Sequence, residues 1–427
     1  MLLVHGSLAM GGVETFYVRL AQERKKRGLV TRFLILSHEG KSNPALVASA
    51  RASAEVYFLS DLVSLPALPA WSIVYHFSLL YPLRYSLLSR MLDGISCAHV
   101  SNGFCAHMVM RLASILKVDI PISIGLYHSM EFSWGRTLKK LPFFELKNRE
   151  IFHHLQSTHG LVFFNEKMIE RYSGITGKDF SNVNLFPLGV VGRTLPAEPK
   201  RFSEGLDICS VGRLVRFKGY NLWMLDVVDA LRKLGLPVSY SIYGDGPLDK
   251  TMSEKIKKMN LEDFVFLKGS LDYSDFSKVV SEFDVFVGSG TALVEAASLG
   301  VPSLIAIENT SEPSTYGFLS EIPGFSYNED GLYPKKDILK LLVEFSLSSE
   351  TEKRKLSVEQ KRKSELFSIS TCASNFGEIQ PASVLNSSLT PRSHWFYRLF
   401  YTGSFVFYSL LLRSKGRTLS QTVSSVE

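Results

Sequence analysis

Short apolar runs alternate with longer segments of helical periodicity along most of the chain. The apolar runs of the first half predict strands at residues 2–6, 31–37, 97–101, 121–128, 160–165 and 182–190. Helical periodicity occurs at residues 13–27, where Gly28 is placed as a stop, and at 106–118. Alternating strands and helices are typical of a doubly wound parallel sheet, so we expect an α/β fold.

The second half repeats this pattern more clearly. Its predicted strands are residues 206–212, 237–244, 264–269, 284–288 and 301–307. Its predicted helices are residues 219–235, 247–260, 274–283 and the segment "GSGTALVEAASLGVP" at 288–302, with two more between about 335 and 370. The pattern therefore predicts two Rossmann-like domains, at 1–195 and 204–375, joined by a polar, proline-bearing boundary.

Two further segments depart from the strand and helix alternation. Residues 376–393 are polar and predict a linker, while 394–427 form a tail dense in aromatic residues with basic flanks. Such a tail is typical of a membrane-interface element, and the alternative is a terminal helix packed on the protein. Residues 62–83 lack charged side chains, but three prolines argue against a span and favour an apolar loop and helix.

Composition narrows the choice of partners. The chain has 427 residues, 45% of them hydrophobic and 21% charged, as expected for a globular protein. Its net charge of +7 is not carried by a basic run, so nucleic acid is possible, but a phosphorylated substrate or an anionic membrane surface explains the charge equally well. Among the partners we expect a membrane surface and no nucleic acid. The four cysteines are scattered and predict reduced thiols, no metal site and, with no signal-peptide pattern, a cytoplasmic protein.

Ligands of open α/β sheets bind outside the carboxyl ends of the strands, so the loops at these ends are the candidate sites. Arg213 and Lys218 follow the strand at 206–212 and precede a helix, which is a suitable place for a phosphate. The alternative is a solvated basic loop. Gly244 lies in the next tight turn, where the backbone can approach a ligand closely.

The most informative loop follows the strand at 284–288. Gly288 and Gly290 allow close approach at a helix N-terminus, and Glu295 lies about one turn into that helix. A carboxylate there can accept two hydrogen bonds from a ribose diol. The alternative is an acid that the helix dipole favours.

The first domain contributes fewer candidates. Gly11 and Gly12 follow the first strand, and His128 ends the strand at 121–128. A glycine pair exposes backbone N–H groups, and a histidine at a strand end can bond a sugar hydroxyl or be a satisfied, partly buried side chain. The weaker candidates are Glu131, His107 and the pair His153 and His154. Glu14, near the start of the next helix, is interpreted as an acid that complements the helix dipole.

Together these residues resemble family 4 of the retaining glycosyltransferases, which have the GT-B fold of two Rossmann-like domains facing a cleft. Four motifs carry the resemblance: "GGVE" at 11–14, "VGRLVRFKG" at 211–219, "IYGDGP" at 242–247 and "GSGTALVEAASLGVPSL" at 288–304. The match extends over about residues 1–370, and "FPLGV" at 186–190 resembles the strand that enters the linker, with Leu188 where the family usually has asparagine.

The resemblance implies a role for each matched residue. Arg213 and Lys218 would hold the donor diphosphate, Glu295 would bind the ribose, and His128 would lie near the transferred sugar. The backbone of Gly12 would lie near donor phosphate and acceptor, and the base would lie against Gly244 and the backbone around Lys268 and Gly269. The donor nucleotide would also be bound by Gly290, Thr291 and Ala292. The first domain would bind the acceptor and the second the nucleotide sugar.

One position departs from the family. A second glutamate, eight residues before Glu295, usually contacts the donor sugar, but the residue here is Val287. Valine accepts no hydrogen bond, so this contact is absent or is supplied by another group. Ser289, Thr291 and nearby backbone N–H groups are the options that the sequence offers.

The resemblance implies transfer, with retention, from a UDP- or GDP-sugar to a saccharide or polyprenyl-linked saccharide in cell-surface polysaccharide or lipopolysaccharide biosynthesis. We expect no metal and no cofactor, since a cation pair can stabilise the departing diphosphate. We expect the protein on the inner face of the cell membrane. The alternatives are a non-catalytic nucleotide-sugar-binding scaffold, motivated by Val287, and a sugar-nucleotide epimerase or hydrolase on the same fold.

Overall fold

The computed structural model describes residues 1–9, 11–65, 68, 71–128, 131–132, 141–192, 201–384 and 395–415. The strands are β1 (Leu2–His5), β2 (Arg32–Ile35), β3 (Glu55–Phe58), β4 (Ala98–Val100), β5 (Ile122–Leu126), β6 (Leu161–Phe163), β7 (Asn184–Leu185), β8 (Leu206–Val211), β9 (Val238–Tyr243), β10 (Val265–Gly269), β11 (Val285–Gly288), β12 (Ser303–Ile305), β13 (Ser314–Thr315) and β14 (Lys336–Asp337). The helices are α1 (Gly12–Lys26), α2 (Pro44–Arg51), α3 (Leu59–Leu62), α4 (Ser72–His76), α5 (Tyr85–Leu92), α6 (Gly103–Leu116), α7 (Phe143–Ser157), α8 (Glu166–Thr176), α9 (Tyr220–Lys233), α10 (Asp249–Lys258), α11 (Phe276–Val280), α12 (Thr291–Ser298), α13 (Ile338–Leu347), α14 (Glu350–Ser364), α15 (Ile369–Glu378) and α16 (Trp395–Ser414).

The first unit, Met1–Gly189 with Ile369–Glu427, is built on a parallel sheet in the order β3-β2-β1-β4-β5-β6-β7. Successive side chains of a strand point to opposite faces. Leu2 and Val4 therefore join one hydrophobic cluster, with α6, α7 and α8, whereas Leu3 joins another, with α1 and α15. The sheet is covered by helices on both faces, as the apolar character of its strands predicts.

The second unit, Val190–Ser368, repeats this plan with a parallel sheet in the order β10-β9-β8-β11-β12. Val285 and Val287 face a cluster that includes α9, α10 and α13, and Phe286 faces a cluster that includes α11 and α12. The predicted α/β class with doubly wound parallel sheets is therefore confirmed, and each strand predicted for residues 206–307 is present.

The unit boundaries differ from the predicted domains 1–195 and 204–375. Val190 and Val191 already belong to the second unit, because their N–H groups donate to the Phe367 carbonyl at 2.8 and 3.0 Å. Residues 369–375 lie in the first unit, where α15 buries Ile369, Cys372, Ala373 and Phe376 against Phe16, Phe164 and Phe186. The apolar face of α15 thus finds its core on the first sheet.

The predicted linker 376–393 begins inside a helix. α15 continues to Glu378, and Ala382 exchanges two backbone hydrogen bonds with Ile122 of β5, at 2.8 and 3.0 Å. Residues 376–384 are therefore part of the first unit's ordered packing. Residues 385–394 and 416–427 lie outside the described residues.

The aromatic tail forms α16, and one of its faces is packed. The Tyr401 ring lies 4.3 Å from that of His107, its hydroxyl donates to Asn148 Oδ1 at 2.8 Å, and Phe405 stacks on Phe104 at 5.0 Å. The opposite, solvent-exposed side, here called the apolar face of α16, consists of Trp395, Phe396, Phe400, Phe407, Leu410 and Leu411. Among the described residues, no helix is both long and apolar enough to cross a membrane.

Phe376→Ala should destabilise the first unit, because the ring is buried among the rings of Phe16, His99, Phe164 and Phe186. Loss of such a core ring costs about 3–5 kcal/mol. We expect the melting temperature of the full chain, followed by circular dichroism, to fall by about 10 °C.

The matched control is Leu366→Ala, since Leu366 is 50% exposed and lies just before α15. We expect that variant to melt within about 1 °C of the parent, as surface substitutions usually do. Equal shifts in the two variants would show that the packing of α15 does not stabilise the first unit.

Candidate functional site

Five strand ends meet at one edge of the second sheet, because the strands are parallel. The loops that leave β8, β9, β10 and β11 there carry most of the residues that the sequence predicts for a site. Those residues are Arg213, Lys218, Gly244, Gly269, Gly290, Thr291, Ala292 and Glu295. The structure therefore brings the predicted second-domain residues to a common edge.

The loop after β8 presents two cations. Arg213 is exposed, and Lys218 is partly exposed in a 3-10 turn that leads directly into α9. A Cβ atom built on Gly212 would lie 3.3 Å from Lys218 Nζ, so the lysine side chain folds back over the glycine. Lys218 thus lies two residues before the first residue of α9, whose N-terminus carries partial positive charge, and Arg213 lies in the same loop. This combination favours binding of an anion such as phosphate.

The turn after β9 is locked against the loop after β8. Gly244 has φ of +146°, and a Cβ atom there would collide with the carbonyl oxygen of Gly212. Next to this close approach, Leu214 N donates to the Asp245 carbonyl at 2.7 Å, and Gly244 N donates to the Gly269 carbonyl at 2.7 Å. Glycine is therefore required at 244 for packing, independently of any ligand.

The turn after β11 positions α12. Gly290 has φ of +70°, its N–H donates to Asn328 Oδ1 at 2.7 Å, and its carbonyl accepts from the Tyr327 hydroxyl at 3.1 Å. Thr291 and Ala292 form the first turn of α12 and are partly exposed, as is Glu295 one turn further on. The amides at the start of α12 and the Glu295 carboxylate therefore belong to one short helix.

Val287 faces the interior of the unit. Its side chain is completely buried in the cluster with Val285, Leu304 and Tyr240, and its carbonyl accepts from Ser210 Oγ at 2.6 Å. A glutamate at this position would bury its carboxylate in an apolar core, which costs several kcal/mol or forces the group to stay neutral. The valine at 287, where the family usually has a glutamate, therefore fits the buried position of this residue in β11.

One residue that the sequence reasoning missed lies at the same edge. Glu308 follows β12 and is partly exposed, and Ser289 Oγ donates to its Oε1 at 2.7 Å. Burial raises the pKa of the Glu308 carboxyl, and the nearby Lys218, the Ser289 hydrogen bond and Arg213 act in the opposite direction. The rule used for the other strand ends would have pointed to Glu308, had it been applied to β12 as well.

The first unit holds the remaining predicted residues. Gly12 begins α1 after β1, and His128 is partly exposed after β5, so both lie at the carboxyl edge of that sheet, where β4 separates β1 from β5. Glu14 pairs with His5 at 3.4 Å in the first turn of α1, in keeping with an acid placed to complement the helix dipole.

The weaker candidates of the first unit are buried or partly buried. His107 is buried under α16, and His153 and His154 lie half-buried on α7. Burial and the neighbouring Glu145 raise the pKa of Glu131 to about 8. No group of three or more His, Cys, Asp or Glu residues in the described ranges could hold a metal ion.

Comparison with known proteins adds a family. Residues 193–313 match the family model of the group 1 glycosyl transferases. The putative colanic acid biosynthesis glycosyltransferase WcaL of Escherichia coli (strain K12) is 24% identical over 178 residues, which cover 37% of this chain and 44% of that protein. The Salmonella typhimurium WcaL is 20% identical over 246 residues, covering 53% of this chain and 58% of that protein. The chain thus spans about half the length of these curated relatives.

Solved structures show the fold. Staphylococcus aureus TarM, solved with fondaparinux, alpha-GlcNAc-glycerol and UDP, has a TM-score of 0.62 at 11% identity, with 91% of this chain and 99% of that chain covered. Anabaena HepE, solved with UDP and glucose, has a TM-score of 0.59 at 14% identity, with 88% and 98% covered. The fold of the predicted family is therefore confirmed.

Gly244→Ala should destabilise the second unit more than Gly269→Ala. Both positions have positive φ, which costs an alanine about 1–2 kcal/mol, but only the methyl group at 244 meets the neighbouring backbone, since nothing lies within 4 Å of a Cβ at 269. Thermal unfolding of the full-length variants should rank them parent, Gly269→Ala, Gly244→Ala.

Gly174→Ala is the control for the substitution itself. Gly174 lies inside α8, where a Cβ atom meets nothing within 4 Å, so alanine should be neutral or stabilising by about 0.5–1 kcal/mol. If Gly244→Ala and Gly269→Ala unfold at the same temperature, the loops after β8 and β9 can move apart without loss of stability. The close backbone approach at Gly244 is then not needed for stability.

Proposed function

Because the chain is a member of the group 1 glycosyltransferases with the GT-B fold, we propose that it transfers a sugar, with retention, from a UDP- or GDP-sugar to a saccharide or lipid-linked saccharide acceptor. The observation that carries this proposal is the pair Arg213 and Lys218, which lie in one loop at a parallel sheet edge, in the segment that leads into α9. A relative named for colanic acid biosynthesis and neighbours solved with UDP support a role in cell-surface polysaccharide or lipopolysaccharide biosynthesis.

The second unit would bind the donor nucleotide. Arg213 offers a planar fork that can bind two phosphate oxygens at once, and Lys218 adds a point charge. The amides of Gly290, Thr291 and Ala292 would bind further phosphate oxygens at the start of α12. Glu295, on the same helix, would accept hydrogen bonds from the ribose diol, and the base would lie against the backbone at Gly244 and Gly269.

The departing diphosphate gains negative charge in the transition state. Positive groups fixed in advance stabilise such charge most effectively, so Arg213 and Lys218 would supply this stabilisation without a metal ion. The leaving phosphate would accept the proton of the attacking acceptor hydroxyl on the same face of the sugar, which retains the anomeric configuration. In the first unit, Gly12 and His128 would contact the donor phosphate and the transferred sugar.

The second candidate function is a non-catalytic nucleotide-sugar binder. This function is favoured by Val287, because a buried valine stands where the family usually has a glutamate whose carboxylate lies near the donor sugar. Release of free UDP from a radiolabelled donor, together with a labelled acceptor product, distinguishes the transferase from the binder, since a binder retains intact donor.

Arg213→Ala should abolish transfer and weaken UDP binding. Removal of one preorganised donor to a developing oxyanion typically lowers the rate by about 100-fold or more. Calorimetric titration of UDP and GDP into the full chain measures binding, and turnover of labelled UDP- and GDP-sugars measures transfer.

Arg216→Ala is the matched control, since Arg216 is an exposed arginine three residues further along the same loop. It removes the same charge, and we expect it to change UDP affinity by less than about threefold, as screened surface charges do. If both variants lose binding equally, the effect is one of net charge and Arg213 has no specific role.

We further propose that the protein binds the inner face of the cell membrane through the apolar face of α16. Phe400 and Phe407 are 66% and 69% exposed, and Arg413 and Lys415 follow at the helix end. Exposed aromatic rings beside basic residues are typical of a helix that lies in the plane of an anionic membrane surface. The packed side of α16 would keep the helix on the protein while the other side enters the lipid headgroups.

The combined substitution Phe396→Ser, Phe400→Ser and Phe407→Ser should lower membrane binding by at least about tenfold, because it removes the apolar area that enters the bilayer. Co-sedimentation of the full chain with phosphatidylcholine vesicles containing phosphatidylglycerol measures this. Arg413→Gln with Lys415→Gln should weaken binding chiefly to the vesicles that contain phosphatidylglycerol.

The control carries Leu234→Ser and Leu347→Ser, which remove apolar residues that are 62% and 75% exposed on the second unit. Its vesicle binding should match that of the parent. Unchanged co-sedimentation of the α16 variant would reject the apolar face of α16 as the membrane contact, whatever the outcome for transfer.

A further inference from the structure

A carboxylate that no sequence motif contains lies at the candidate donor site. Glu308 follows β12, its Oε1 accepts the Ser289 hydroxyl at 2.7 Å, and its backbone N–H donates to the Asn328 carbonyl at 2.9 Å. The side chain of Asn328 in turn accepts the N–H of Gly290, the residue that caps α12. Glu308 is thus fixed to the same turn that starts the candidate phosphate-binding helix.

The surroundings of Glu308 are positive. The N–H of Asn309, the next residue, donates to the carbonyl of Phe217 at 2.8 Å, so Glu308 lies beside the loop that carries Arg213 and Lys218. Both cations lower the pKa of its carboxyl, against the effect of burial. In the described part of the chain, Glu308 forms no direct ion pair with either cation, and its Oε2 accepts no hydrogen bond. By its surface area the residue is partly exposed.

An acidic oxygen in this position is unsuited to a phosphate, because like charges repel. It is suited to hydroxyl groups, since an ionised carboxylate only accepts hydrogen bonds and hydroxyls donate them. A nucleotide diphosphate sugar presents hydroxyl groups next to its diphosphate. A carboxylate beside the two diphosphate-binding cations is therefore placed where a sugar, rather than a base, would lie.

We propose that Glu308 is the donor-sugar specificity residue of this chain, its Oε2 accepting hydrogen bonds from hydroxyl groups of the transferred sugar. Ser289 acts as the positioning residue, because its hydroxyl donates to Oε1 and leaves Oε2 for the hydroxyl groups of the sugar. Glu308 thereby supplies from β12 an acid that the strand at Val287 cannot supply. The inference rests on the proposed function, since it takes Arg213 and Lys218 as the diphosphate site.

The test compares a nucleotide with its sugar conjugates. Calorimetric titration of the full chain uses UDP, UDP-glucose, UDP-galactose, UDP-N-acetylglucosamine, GDP and GDP-mannose, and the conjugate that binds the parent most tightly becomes the probe. Glu308→Gln and Glu308→Ala should weaken binding of that probe by about 10- to 100-fold, as expected for loss of hydrogen bonds to a charged group. Binding of the nucleotide without its sugar should be unchanged or tighter, because a negative charge near the diphosphate is removed.

Two variants act as controls. Glu312→Gln removes an exposed carboxylate four residues further on and should leave both affinities unchanged. Ser289→Ala keeps the acid but frees its orientation, so it should lower affinity for the sugar conjugate by less than Glu308→Ala does, again with the bare nucleotide unaffected. This second variant also tests the idea if substitution of Glu308 itself prevents folding.

Each other outcome overturns the proposal. Equal losses of nucleotide and conjugate in the Glu308 variants would assign Glu308 a purely structural role at the α12 turn. Unchanged affinity for the conjugate would show that the sugar does not reach the carboxylate. If the parent chain binds none of the nucleotides or conjugates, the proposed function fails first, and the inference about Glu308 falls with it.

Discussion

The second unit depends on a close backbone approach between the loops that leave β8 and β9. Parallel strands bring these loops to the same edge, and there Gly212 and Gly244 meet so closely that a side chain at 244 would collide with the neighbouring carbonyl. Leu214 then forms two backbone hydrogen bonds across the seam, to Asp245 and from Leu248. Arg213 precedes Leu214 in the loop after β8, so these backbone contacts, rather than ion pairs, fix the position of the Arg213 backbone.

Buried polar groups hold the strands beneath this edge together. Ser210 Oγ donates to the Val287 carbonyl at 2.6 Å and accepts from the Tyr240 hydroxyl at 2.6 Å, and the Tyr240 hydroxyl oxygen lies 3.2 Å from Asn221 Oδ1 of α9. Three strands and a helix are therefore joined by hydroxyl hydrogen bonds inside an apolar core. A network of this kind is stable because its members are satisfied, and it rigidifies the strands that carry the loops. Rigid placement is the condition under which charged groups stabilise a transition state well.

The sequence predicted the second sheet well because its apolar runs are short and bounded by glycine or proline, as at 301–307. β3 (Glu55–Phe58) escaped notice because this edge strand is brief and begins with an exposed glutamate. Periodicity showed that α15 has an apolar face but not which core receives it. For α16 both faces are apolar, so only the fold distinguishes the side that packs through Tyr401 on His107 from the exposed side. Arg213, Lys218, Gly290 and Glu295 were found because each follows a predicted strand. Glu308 was missed because the strand-end rule was not applied to β12, and its contact with Ser289, 19 residues away in the chain, is visible only in the fold.

The replacement at 287 shows why motif spacing alone does not locate a contact in space. β11 continues through Gly288 and α12 begins at Thr291, so only Ser289 and Gly290 separate the strand from the helix. With so short a turn, residue 287 lies within the strand, and the alternation of side chains directs it into the core. An acid cannot be accommodated there without a large desolvation cost. An acid at this edge must therefore come from another strand end, and among the described residues Glu308 is hydrogen-bonded to the turn itself. Glu295 lies on α12 itself, so its position is set by the helix and not by the residue at 287.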